Sequence, residues 1–185
     1  AAQVTIALCV SAAGVHFDSI ALPFFGSFDL APWFAIVMTV TWLVGISNAF
    51  NLIDGLDGLA GGVALFALST LFIVAVLFGQ NGAALTAVVV AGATVGFLRF
   101  NLPPASIFLG DSGSLFVGFM LAGLGLVSAQ TVPGEMSIII PIVALGLPIL
   151  DTGLTIVRRF LRLQPIFSPD RGHIHHRLLG RGHSP

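Results

Sequence analysis

Long apolar runs separated by short polar clusters make up nearly the whole chain. A ~30 Å hydrocarbon core takes roughly 20 helical residues to cross. The runs that reach or approach this length are residues 1–15, 32–50, 58–78, 83–99, 114–131 and 137–160. Between the first two, His16 to Ala31 carries Asp18, Pro23, Gly26 and Asp29 among aromatics. That stretch is too broken to span and predicts a loop or short hairpin resting at the interface. Gly79-Gln80-Asn81-Gly82 predicts a tight turn, and Ser128 to Glu135, with Pro133-Gly134, predicts another. Pro141 and Pro148 are expected to kink the last span. Ala91, Gly92, Gly96, Gly118 and Gly123 suit close helix packing in lipid, and a homodimer is left open. With no repeat and no soluble boundary, residues 1–185 form one integral-membrane domain. Its predicted fold is all-α, a polytopic helical membrane protein of about six transmembrane helices.

Composition agrees with the pattern: 56% of residues are hydrophobic, 8% are charged, and the mean hydropathy is +1.04. A net charge of −1 offers nucleic acid no basic face. Cys9 stands alone, which excludes a disulfide, a thiol pair or a cysteine zinc site within the chain. There is no lysine and no tyrosine, so a Schiff-base lysine, a P-loop lysine and a tyrosine acid are excluded within these residues. The chain opens Ala-Ala-Gln in mid-helix, without an initiator Met or a basic signal region, and so reads as a fragment or processed piece.

Permanent positive charge is all arginine, and it sets the orientation. Placing alternate loops on alternate sides puts Arg99, Arg158, Arg159, Arg162, Arg171, Arg177 and Arg181 on one side. The positive-inside rule makes that side cytoplasmic. The same placement gathers Asp54, Asp57, Asp111, Asp151, Asp170, His173, His175 and His176 at or near it, leaving Asp18, Asp29, Glu135 and His16 opposite. This convergence points to an active site in cytoplasmic loops of the inner membrane.

The first polar constellation is Asn48-Ala-Phe-Asn51-Leu-Ile-Asp54-Gly-Leu-Asp57-Gly, with further glycines at 61 and 62. A turn between membrane helices needs one or two polar residues, with Asp57 serving only as a cap. Four at three-residue intervals suggest instead a hydrated cation holding a phosphorylated substrate, with glycines letting backbone come close. The second constellation runs from Arg99 and Asn101 to Phe108-Leu-Gly-Asp111-Ser112-Gly-Ser114. Asp111 and Ser112 stand where a helix must begin, which predicts an N-cap. Free amides and the positive helix end also favour phosphate, and the carboxylate can ligate Mg²⁺. Phe108 could stack on a base or pack at the interface.

The third constellation joins Asp151 and Arg158-Arg159 to Asp170-Arg171-Gly-His173-Ile-His175-His176-Arg177. Asp151, inside a span, serves either function or structure. The histidines admit zinc. Arg171 and Arg177 instead suit bidentate phosphate contacts, with the histidines as donors to the same group. Simple contact with anionic lipid is the bland alternative.

In this order, Asn-x-x-Asn-x-x-Asp-Gly-x-Asp-Gly-Leu-Ala, Phe-x-Gly-Asp-x-Gly-Ser and Arg-Arg followed by Asp-Arg-x-His-x-His-His-Arg resemble the polyprenyl-phosphate N-acetylhexosamine-1-phosphate transferases. Together they span residues 48–179. The His-Ile-His-His form resembles the branch that loads a UDP-N-acetylhexosamine, such as UDP-GlcNAc, to begin lipopolysaccharide, teichoic acid or related glycans. The phospho-MurNAc-pentapeptide branch typically has three adjacent histidines.

The resemblance implies transfer of a sugar-1-phosphate from a cytoplasmic UDP-sugar to undecaprenyl phosphate, with release of UMP. It further implies that Asp57 and Asp111 hold Mg²⁺, or Mn²⁺, on the diphosphate, and that Asn48, Asn51 and Asp54 shape that pocket. Phe108 would stack near uracil, and Arg171, His173, His175 and His176 would bind phosphate. The family's adjacent Asp-Asp motif and its partner lysine are absent from this sequence. The chain is therefore expected to be the C-terminal portion of a longer family fold, inserting in a membrane but inactive alone. The rival from another class is a transporter, which would place its carboxylates near the bilayer midplane on broken helices.

Overall fold

The computed structural model describes residues 2–22, 26–134 and 136–161. Helix α1 (Ala2–Ala12) leads into a two-stranded hairpin, β1 (Ser19–Leu22) and β2 (Gly26–Asp29). Five further long or paired elements follow before the end of the described region: α2 (Pro32–Ile53), α3 (Leu59–Leu77), α4 (Asn81–Asn101), α5 (Gly110–Thr131), then α6 (Met136–Ala144) with α7 (Gly146–Leu161). The antiparallel hairpin pairs Ser19 with Asp29 and Leu22 with Gly26, as the broken stretch between the first two apolar runs led one to expect.

Element boundaries follow local chemistry. Pro32 occupies the first turn of α2, where its missing N–H costs nothing. Gly79, at φ 71°, reverses the chain between α3 and α4. The expected single kinked span over 137–160 is instead two helices that meet at Leu145 with a 76° bend. Pro148 has no N–H to offer the carbonyl of Ala144, so the helical ladder breaks there.

Among the described residues, four helices, α2 to α5, are long and apolar enough to cross a membrane, and the bent α6–α7 pair raises the number to 5 at most. The protein is thus polytopic, and its regular elements among the described residues are, apart from the hairpin, helical. The sixth expected segment, 1–15, appears as α1, whose 11 residues extend only about 16 Å. Large apolar side chains such as Phe66, Leu77, Leu85 and Val89 point outward, as lipid-facing residues do.

Inside, α2 packs on α5 and α3 on α4, with α3 against α5 joining the pairs. Leu43, Phe50, Leu68, Leu121 and Leu145 are fully buried at the centre. The α2–α5 approach depends on Gly118, where an added Cβ would lie 2.8 Å from Phe50 Cβ and 3.0 Å from the Cα and carbonyl oxygen of Ser47. Polar side chains stitch the same seam. Ser47 Oγ donates to Leu115 O at 2.7 Å and Trp42 Nε1 to Ala122 O at 3.0 Å, each satisfying a polar group that lipid could not.

At the hairpin end, Phe17 is buried edge-on against Trp42, with ring centroids 6.0 Å apart. Its N–H donates to Thr39 Oγ1 at 3.0 Å. His16 Nε2 and Asp18 Oδ1 are 3.0 Å apart, and Gln130 Nε2 donates to His16 O at 2.7 Å. Asp18 thus belongs to the anchoring of the hairpin. The opposite end of α2 lies about 33 Å away.

Candidate active site

That far end is where the polar constellations meet. Asn51, Asp54, Gly55, Leu56, Asp57, Phe108, Gly110 and Asp111 line one open pocket of about 220 Å³. Three carboxylates and an exposed aromatic ring, drawn from stretches some fifty residues apart in sequence, therefore share one small volume at the helix termini.

Each is placed by its local backbone. Asp54 is the C-cap of α2, half-buried, its N–H donating to Asn51 O at 3.3 Å. Asp57 follows in the turn, and its Oδ2 accepts the N–H of Ala105 at 3.0 Å. It does not cap α3, because the cap position is Gly58 in the left-handed region at φ 77°. Asp111 and Ser112 lie inside the first turn of α5 instead of at its cap, which is Leu109 with helical φ and ψ. Gly110, at φ 62°, makes the sharp entry into that helix. A carboxylate in the first turn is favoured by the helix dipole, which suits Asp111 to its position beside the pocket. Phe108, 69% exposed, stands at the rim.

Asn48 lies apart from these residues. Its Nδ2 donates to Gln3 Oε1 on α1 at 3.2 Å and to Val44 O at 2.7 Å, and it does not line the pocket. Helix geometry gives the reason, since six residues at about 100° each turn Asn48 well away from the direction of Asp54. Asn51 does face inward, where its Oδ1 accepts from the Ser114 hydroxyl of α5. Ser114 is fully buried and also reaches Gly110 O at 2.9 Å. Ser114 and Asn101 were given no role by sequence reasoning. The available signal was a polar residue closing the apolar run of α4 and another near the start of α5, the latter inside the quoted motif. Asp151 is buried in α7 and is not among the pocket-lining residues. Arg171, His173, His175, His176 and Arg177 lie outside the described residues.

Burial, and then the negative charge of Asp111, push the Asp54 carboxyl above its usual 3.8. Among the described residues, no three His, Cys, Asp or Glu groups form a ready metal cluster. Hard oxygen donors facing an open pocket nevertheless suit Mg²⁺, which keeps several waters and binds through one or two carboxylates plus substrate phosphates. A cation there would also relieve the repulsion between Asp54 and Asp111.

The sign of the Asp54 shift gives a test. A carboxyl whose folded pKa is raised favours the folded state when protonated. Its contribution is therefore lost as pH rises from 3.8 through the raised value. Without divalent ions, Asp54→Asn should melt slightly higher than the parent at pH 7 and equal to it near pH 4. Added Mg²⁺ should stabilise the parent more than the variant. Thermal unfolding in detergent, with and without Mg²⁺, measures this, and an identical Mg²⁺ response in both proteins would separate Asp54 from any cation.

Residues 1–129 match the family model described as glycosyl transferase family 4. A probable undecaprenyl-phosphate N-acetylglucosaminyl 1-phosphate transferase of Bacillus subtilis is 45% identical over 181 residues, covering 97% of this chain and 50% of that protein. A decaprenyl-phosphate N-acetylglucosaminephosphotransferase of Mycobacterium tuberculosis is 37% identical over 205 residues, covering 100% of this chain and 51% of its own length. A phospho-N-acetylmuramoyl-pentapeptide-transferase of Lacticaseibacillus paracasei is 46% identical over 101 residues, covering only 55% of this chain and 31% of that protein. The chain spans about half the length of the curated relatives it matches along nearly all of its own sequence.

Proposed function

Because the chain belongs to glycosyl transferase family 4, we propose that the intact protein moves N-acetylglucosamine-1-phosphate from UDP-GlcNAc to undecaprenyl phosphate, starting a cell-envelope glycan. The observation that carries this reading is the pocket that joins Asp54, Asp57 and Asp111 to Phe108. The choice of sugar rests on the N-acetylglucosamine-phosphate transferases, which match 97–100% of the chain where the pentapeptide transferase matches 55%.

In this reaction a phosphate oxygen of the lipid attacks the β-phosphorus of the UDP-sugar. The bond from that phosphorus to the UMP oxygen breaks, leaving a pyrophosphate-linked sugar on the lipid. A phosphate monoester is largely ionised at neutral pH, so no strong base is needed. Asp57 and Asp111 would hold Mg²⁺, with Asp54 and Asn51 shaping its surroundings. The cation, when bound, supplies neutralisation of the charge that builds on departing UMP. Phe108 offers a face on which uracil can stack. Arg171, Arg177, His173, His175 and His176, which lie outside the described residues, would supply further phosphate contacts.

An apolar groove of about 370 Å³, lined by Gly58, Leu59, Gly62, Val63, Phe66, Val143, Ala144 and Leu147, begins beside Asp57 and offers room for the prenyl chain. Carboxylates at helix termini fit this chemistry better than a transport path, which would set them near the midplane.

UDP-GlcNAc radiolabelled at its β-phosphorus tests the reaction class. Label in the lipid fraction, with unlabelled UMP released, is the expected result. Label released as UDP would mean ordinary glycosyl transfer and refute the proposal. The arginine distribution in the sequence supports a cytoplasmic pocket end at the inner membrane. Cysteines at Ser106 and Ser27, both exposed and at opposite ends, check this. In intact cells lacking Cys9, an impermeant maleimide should label the Ser27 site alone, and labelling of only the Ser106 site would invert the topology.

A further inference from the structure

Resting on the function just described, we propose that Asn101 is a positioning residue that fixes the spacing between the metal-side turn and the nucleotide-side loop, with one hydrogen bond to each. Asn101 is the last residue of α4 and only 2% exposed. Its Oδ1 accepts the Gly58 N–H at 3.0 Å, and its Nδ2 donates to Ile107 O at 2.8 Å. Gly58 directly follows Asp57, and Ile107 directly precedes Phe108. One rigid amide therefore sets the backbone of the carboxylate that faces the diphosphate relative to the ring that faces the base.

The choice of asparagine follows from the two partners. One contact needs an acceptor and the other a donor, and a primary amide supplies both in one plane. Aspartate keeps only the acceptor, and leucine, of similar size, keeps neither. The turn is pressed against the loop at the same place. A Cβ on Gly58 would lie 3.1 Å from Leu102 Cδ2, and Ala105 N–H reaches Asp57 Oδ2 at 3.0 Å. A buried amide that loses its partner cannot recover it from solvent, so the two loops should separate when Asn101 goes.

Two variants of the intact protein in proteoliposomes separate the bonds. Asn101→Asp retains the Gly58 contact but sets two acceptors face to face at Ile107. It should raise KM for UDP-GlcNAc about ten-fold, with kcat and the Mg²⁺ concentration for half-maximal rate nearly unchanged. Asn101→Leu should raise both KM and that Mg²⁺ concentration about ten-fold or more. Hydrogen exchange at the Gly58 amide reads the bond itself without any turnover. It should accelerate at least about ten-fold in Asn101→Leu and stay near the parent rate in Asn101→Asp. A residue that merely supported the fold would lower the melting temperature without dividing KM from Mg²⁺ dependence in this way.

Parent-like Gly58 exchange in Asn101→Leu, or KM and Mg²⁺ dependence within about two-fold of the parent in both variants, overturns the assignment. If Asn101→Leu is recovered only as aggregate, the KM of Asn101→Asp decides. If the parent protein transfers no sugar phosphate at all, the functional reading fails, and Gly58 exchange alone still decides the clamp.

Discussion

Asp111→Asn and Asp57→Asn, each introduced into the intact protein, are expected to lower turnover by at least roughly 100-fold at ordinary Mg²⁺. Both substitutions preserve size and remove only charge, so packing around the pocket is left alone. In Asp57→Asn the Ala105 N–H can still find the amide oxygen, so the turn keeps the contact now made at 3.0 Å. What disappears is one of the charges proposed to face the diphosphate, so the remaining carboxylate and the substrate phosphates hold the cation more weakly. Raising Mg²⁺ should recover part of the lost rate, because weakened cation binding is the cause. Asp18→Asn is the control. Asp18 pairs with His16 at the hairpin end, about 33 Å away along α2, and its loss should leave turnover nearly unchanged. If Asp111→Asn turns over within a few-fold of the parent, Asp111 only stabilises the start of α5 and the assignment of metal ligands collapses.

Gly118→Leu is expected to cost about 3 kcal/mol or more of stability and to abolish activity together with folding. The first added atom would already sit 2.8 Å from Phe50 Cβ and 3.0 Å from the backbone of Ser47. Neither neighbour can rotate away, so α2 and α5 must move apart. That separation would break the Ser47–Leu115 and Trp42–Ala122 hydrogen bonds. It would also draw Asn51 from Ser114, and thereby Asp54 from Asp111, at the pocket end of the same helix pair. Gly123→Ala on α5 provides the contrast, since nothing lies within 4 Å of its added Cβ. That change should be neutral or slightly stabilising through helix propensity alone. Retained thermal stability of Gly118→Leu in detergent would show that the helices pack differently from the arrangement described here.

Much of this site was legible before any coordinates. In a chain with 8% charged residues, polar side chains kept together at the ends of apolar runs have few structural uses, and the first two constellations do meet in one pocket. The hairpin between the first two runs, and a break near Pro148, followed from turn and proline chemistry in the same direct way. Other features depended on geometry that spacing does not carry. The three-residue interval of Asn48, Asn51 and Asp54 looks regular in sequence, yet helical rotation sends Asn48 to Gln3 and Asn51 to Ser114. Asp111 looked like a cap because it stands just before the apolar run, whereas α5 already begins at Gly110, whose φ is left-handed. Asn101 stood in the second constellation without a role, because its partners lie 43 and 6 residues away in sequence and are both backbone atoms, which leave no trace in residue identity.

The most direct measurement of the central claim is the magnetic resonance of Mn²⁺, a stand-in for Mg²⁺, bound with UDP to the intact protein in membranes. A phosphorus hyperfine coupling from the nucleotide, lost in both Asp57→Asn and Asp111→Asn and kept in Asp18→Asn, is the predicted result. Tight nucleotide-dependent Mn²⁺ binding that survives both carboxylate substitutions, or bound Mn²⁺ without any phosphorus coupling, would contradict the proposal that these aspartates hold a cation on the substrate diphosphate.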